Sequence, residues 1–157
     1  MKRTTLSRRG KIITALVAAA ATMGGAGIAT ATPPVGATLV DRFDGKFLTP
    51  HDIKVNNVTD VVQQTLTIQP GGETGWHIHP GIVVLTVKSG QITRKNADWH
   101  CTVETFKAGD SFVKQGGIPL NGVNETNEPL VVELVYLKPE GTPLRYEREA
   151  PRHCNFD

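Results

Sequence analysis

The chain has 157 residues, with 17 Lys and Arg against 15 Asp and Glu and only two Cys. Five of the basic residues and none of the acidic ones fall in residues 1–31, so the rest holds 12 Lys and Arg against 15 Asp and Glu. That balance is mildly acidic and leaves no basic patch for nucleic acid.

Residues 1–31 read as a signal peptide. Lys2, Arg3, Arg8, Arg9 and Lys11 precede an apolar run over residues 12–21, and Ala29-Thr30-Ala31 supplies a small-x-small cleavage signature. The run is weak for a membrane span, which needs about 20 strongly apolar residues, so no stable membrane anchor is expected. The expected location is secreted, cell-envelope or periplasmic. Ser7-Arg8-Arg9 keeps twin-arginine export open beside the Sec route, although Lys11 stands where that signal usually carries an apolar residue.

After the leader, residues 32–59 form an N-terminal arm with the first strands, and residues 60–138 form the core. Short runs rich in Val, Ile, Thr, Leu and Phe occupy 61–68, 82–87, 101–106 and 130–137. Between them stand Pro70-Gly71-Gly72, Pro80-Gly81, Ser89-Gly90, Gly109-Asp110 and Gln115-Gly116-Gly117, all turn formers. Gln64, Leu66 and Ile68 alternate with Thr65 and Thr67, the period of a half-buried strand. With no apolar stripe of helical period, these strands and turns predict an all-β sandwich or barrel, a single domain.

Cys101 and Cys154 are the two thiols, and in an exported protein such a pair usually forms a disulfide. Closing a loop of about 54 residues would add about 4 kcal/mol of stability and tie down the tail at 139–157. The alternative is two unpaired thiols. Neither shows the CxxC spacing of a redox pair.

Two histidines, His77 and His79, sit two apart ahead of a Pro-Gly turn, which points both imidazoles to one strand face. Their surroundings are in register with Gly71, five residues earlier, and with Gly90. A second set follows in Gly109, Gly117 and Asn124. In this spacing the sequence resembles the cupins, small jelly-roll barrels built as a double-stranded β-helix. The resemblance spans roughly residues 60–137. It implies that the glycines build turns, and that the two histidines, a Glu and a second-motif His would ligate a metal inside the barrel. Here Val83 stands at the Glu position, Gln115 at a Pro position and Leu120 at the second His position.

The resemblance therefore predicts a small-molecule pocket with His77 and His79 as its metal-ligand pair, lined by Val83, Leu120 and Asn124. Iron, manganese, nickel or zinc is the implied metal, and water, a substrate oxygen or Glu133 would have to complete its shell. Catalytic transition-metal sites offer about three protein ligands, so two imidazoles alone are a weak site. Glu73 is about 13 Å from His77 along an extended strand, too far to join it unless the chain folds back at Gly75. Glu133 lies out of phase with Leu130, Val132 and Leu134, and solvent is its expected environment. His100 and His153 each precede a cysteine and are expected to flank the disulfide rather than to bind an ion.

Two functions stand side by side at this point. One is a non-catalytic module binding a small, partly apolar ligand, with the histidines as hydrogen-bonding groups. The other is a metal-dependent enzyme of dioxygenase or isomerase class. A structural role, as a cupin homodimer, ranks last.

Overall fold

The computed structural model describes residue 42, residues 44–57 and residues 59–156, so the expected leader at 1–31 lies outside the described residues. Among the described residues, ten strands make two five-stranded sheets. The strands are β1 (Lys46–Phe47), β2 (Thr59–Ile68), β3 (His77–Ile78), β4 (Ile82–Ser89), β5 (Gln91–Asn96), β6 (Val103–Lys107), β7 (Asp110–Lys114), β8 (Leu120–Val123), β9 (Leu130–Pro139) and β10 (Tyr146–Glu147). One sheet runs β1-β7-β4-β9-β2 and the other β10-β3-β8-β5-β6. Every pairing is antiparallel except β1 with β7. No helix occurs among the described residues, and hence none long and apolar enough to cross a membrane.

The alternation in the sequence becomes the two faces of each strand. On β9, Leu130, Val132, Leu134 and Tyr136 are buried, whereas Val131, Glu133, Val135 and Leu137 are half-buried on the outer face. Leu130 and Val132 have no exposed surface. Each buried aliphatic of this size contributes about 1.5–3 kcal/mol by leaving water. The Phe106 and Phe112 rings meet across the sheets at 4.3 Å between centroids.

The turns need their glycines for different reasons. Gly109 sits at φ 92°, in the left-handed region that a Cβ disfavours, and lets β6 turn into β7. At Gly81 the reason is space, because an added Cβ would lie 2.1 Å from the Leu137 carbonyl oxygen and 2.8 Å from the Lys138 Cα. Both obstacles are backbone of the neighbouring strand. Gly81→Ala is expected to destabilise the protein by about 1–3 kcal/mol, read as a lower urea midpoint at unchanged slope. An unchanged midpoint would show that β4 and β9 separate freely here.

The tail is fixed three ways. Cys101 and Cys154 form a disulfide, with Cα atoms 5.5 Å apart. The Arg148 amide donates to the Trp76 carbonyl at 2.8 Å as β10 pairs with β3, and the Phe156 ring lies 5.2 Å from the Trp76 ring.

Candidate functional site

Between the two sheets lies a cavity of about 60 Å³. Strand register explains its walls. Val83 pairs with Lys114 on one side and Tyr136 on the other, so Lys114, Val83 and Tyr136 form a row across β7, β4 and β9. Facing them, β3 sets His77 beside Leu120 of β8. Leu85, Phe112, Val132 and Leu134 make most of the rest of the wall apolar.

His77 and His79 are 4% and 6% exposed, and their Nε2 atoms stand 3.2 Å apart in this cavity. Each Nδ1 faces a backbone carbonyl, Gly75 at 2.7 Å for His77 and Leu144 at 2.9 Å for His79. A carbonyl only accepts, so both Nδ1 atoms carry the proton and donate. In the neutral rings both Nε2 lone pairs are then left facing each other, free to accept from a third group. Burial pulls both imidazoles below their ordinary pKa, His79 to about 4, against the opposing pull of the carbonyls. The positive charges of Lys114 and Arg145 act in the same direction as burial. The pair is therefore neutral near pH 7.

These rings suit a metal in part. Two imidazole nitrogens bound side by side on one ion, each about 2.1 Å from it, would stand about 3–3.4 Å apart, which the observed pair meets. The two further positions that the resemblance assigns to ligands are Val83 and Leu120, 3% and 7% exposed, and neither can donate. Among the described residues, no other His, Cys, Asp or Glu gathers with the two rings into a three-ligand group. Lys114 and Arg145 also line this cavity and add positive charge to it. The donor set thus does not fit an ion held by the protein alone.

The cations were not singled out by sequence reasoning. Lys114 is 7% exposed and lines the cavity, yet its side-chain ammonium makes no hydrogen bond or ion pair with the described residues. Burial first, and Arg94 second, lower its amine to about 8, which leaves it charged at neutral pH. Arg94 donates from Nη2 to Glu104, lies 4.3 Å over the Phe112 ring, and keeps a buried Nε with no partner. Arg145 on the tail donates to the Thr74 carbonyl at 2.9 Å and pairs with Glu147 at 2.7 Å. The one signal for Lys114 was its phase with Phe112 on β7, and its meaning depended on the register with Val83.

Asn124 corrects the expected lining, because it is not on the cavity wall. Fully buried, its Nδ2 donates to the carbonyls of Ile68 (2.9 Å) and Glu128 (2.8 Å). Its Oδ1 accepts from the Thr126 amide at 3.1 Å and hydroxyl at 2.7 Å. The loop after β8 needs those bonds, since buried backbone groups must be paired. Glu73 is held by Asn121 Nδ2 at 2.8 Å, away from the cavity wall. Glu133 accepts from Thr65 at 2.8 Å and lies 3.7 Å from Lys88, on the outer face. His153 gathers with Cys101 and Cys154, but both sulfurs are spent on the disulfide and no thiolate remains.

Fold and cavity define a two-sheeted β-barrel with a buried polar cluster at its centre. Residues 64–136 match the model of the cupin domain family, which together with the two-sheet all-β fold supports membership of the cupin superfamily. No curated protein matches the sequence. Among solved structures, an uncharacterized conserved protein with a double-stranded β-helix domain from Klebsiella pneumoniae is 26% identical. The match covers 61% of this chain and 81% of that one, with a TM-score of 0.50. A cupin domain from Bordetella pertussis is 23% identical, over 55% of this chain and 88% of that one, with a TM-score of 0.45. The polyketide cyclase RemF from Streptomyces resistomycificus is 16% identical, with a TM-score of 0.50. That match covers 59% of this chain and 63% of the cyclase, and it shows likeness of fold alone.

Proposed function

We propose that this is an exported binding protein that takes a small molecule into its barrel, where His77 and His79 accept hydrogen bonds from it. One observation carries this reading. Both Nδ1 atoms are committed to backbone carbonyls, so both Nε2 atoms, 3.2 Å apart, offer lone pairs to the cavity. A group with a hydrogen to donate relieves that opposition. The disulfide suits an oxidising compartment, which supports export.

A second reading is favoured by the same 3.2 Å separation. It is a cupin enzyme, of dioxygenase or isomerase class, in which His77 and His79 hold a divalent metal completed by the substrate. Val83 and Leu120 in the two other ligand positions rank it second. A homodimer is compatible with either.

The test uses oxidised protein matured in its native host. Ligand-observed NMR with neutral compounds of about four to six non-hydrogen atoms is expected to show binding. It should be lost in Leu120→Trp, which fills the cavity, and weakened in His77→Ala/His79→Ala. Binding by none of the compounds, or binding indifferent to both variants, would contradict the reading. Metal analysis of the same preparation separates the two readings: stoichiometric metal that disappears in the double variant would put the enzyme first.

A further inference from the structure

The cavity holds more unpartnered donors than a neutral ligand can use. The Lys114 ammonium and the Tyr136 hydroxyl both line it without a hydrogen-bond partner among the described residues. They flank Val83, one on each side, on the inner face. Arg94, on the opposite sheet, adds an unsatisfied Nε in the same barrel. The carboxylates whose charge reaches Lys114 are engaged elsewhere. Glu104 accepts from Arg94 and Asn96, and Asp98 accepts from the Thr102 hydroxyl at 2.7 Å and from the amides of His100 and Thr102. A buried, unpaired ammonium is costly and calls for an anion.

The histidines make the opposite demand. Neutral rings with Nδ1 protonated present acceptors at Nε2, which repel a bare carboxylate and welcome a hydroxyl. Size is the third constraint. About 10–15 Å³ of such space holds one water, so a cavity of about 60 Å³ takes about four to six non-hydrogen atoms.

We infer that the ligand is a small hydroxycarboxylate. Its carboxylate is bound by Lys114 and Tyr136, and its hydroxyl donates to the facing Nε2 atoms of His77 and His79. The hydroxyl half of this assignment rests on the binding role proposed above for the histidines; the carboxylate half rests on Lys114 and Tyr136 independently. In this arrangement the ligand's carboxylate supplies the counter-charge that the Lys114 ammonium lacks among the described residues.

Three probes of nearly one size separate these demands in calorimetric titration of the oxidised full chain: lactate, lactamide and propionate. Lactate is expected to bind about tenfold to a hundredfold more tightly than lactamide, as a charge-assisted hydrogen bond implies. It should also bind severalfold more tightly than propionate, which lacks the hydroxyl. Lys114→Gln should erase the preference of lactate over lactamide, and a circular dichroism spectrum matching wild type shows that the variant folds. The wild-type comparisons need no variant, so a folding defect leaves them decisive.

If lactamide binds as tightly as lactate, the anion assignment is overturned and the barrel-binding reading survives. If propionate equals lactate, the hydroxyl assignment falls and the histidine role with it. Lactate binding that needs added metal and ignores Lys114→Gln would overturn the lysine's role in favour of a metal on the histidine pair. Failure of all three probes overturns the hydroxycarboxylate assignment, and the neutral-compound screen then tells whether the barrel binds anything.

Discussion

Replacing Cys101 and Cys154 together with serine is expected to cost about 4 kcal/mol, the chain-entropy value for a loop of this length. For a domain of this size that corresponds to a fall of about 15 °C in Tm. The loss reaches the site because of what the bond restrains. The tail carries β10 alongside β3, gives the Leu144 carbonyl to His79 Nδ1, and sets Arg145 on the cavity wall. Releasing it removes the acceptor that fixes the His79 tautomer, so ligand binding should weaken along with stability. Calorimetric melting of the double serine variant, and of wild type with reductant, each with and without lactate, measures both. An unchanged Tm would mean that the strand pairing and the Trp76–Phe156 contact hold the tail unaided.

Acid should unfold the protein earlier than its carboxylates alone dictate. His79 is held neutral by burial down to about pH 4, and His77 is shifted the same way. In the unfolded chain both regain an ordinary imidazole pKa of about 6.5. Below that value the unfolded state binds protons that the folded state refuses, so stability is complete above about pH 6.5 and is lost as the pH falls toward 4. From His79 alone the loss is about 2 kcal/mol by pH 5 and on the order of 3 kcal/mol by pH 4. Asp60, Asp98 and Glu125, held below the usual carboxylate range by hydrogen bonds, act only at lower pH. Urea unfolding at pH 7 and pH 5 isolates the histidines: wild type should lose stability across this interval and His77→Ala/His79→Ala should lose much less. Equal losses would show that the rings are not held neutral. A loss abolished by chelator at pH 7 would point to a metal on the pair.

How far the sequence carried these conclusions depends on which physical feature each one used. The barrel was legible because its evidence is local. Strand alternation at 61–68 and 130–137 and turn glycines at fixed intervals survive without knowledge of pairing, and β2 and β9 cover both runs. His77 and His79 were legible for the same reason, since residues two apart on a strand share a face. The chemistry at Val83 and Leu120 was legible only as a departure from the family pattern. Lys114 was not, because an isolated Lys on a short strand normally extends to solvent. Its burial follows from cross-strand register, Val83 with Lys114 and Tyr136, which no local pattern reveals. Asn124 misled in the other direction: its position in the motif suggested a pocket residue, whereas its two carbonyl acceptors come from Ile68, 56 residues away, and from the loop it closes.

The barrel is expected to bind its ligand between the Lys114–Tyr136 pair and two accepting imidazoles. Crystals grown with saturating lactate test this arrangement. The predicted result is a carboxylate within hydrogen-bond reach of Lys114 Nζ and Tyr136 Oη, with the hydroxyl donating to His77 and His79 Nε2. An ion coordinated by the two histidines with Lys114 left unliganded, or lactate bound only outside the barrel, would contradict it.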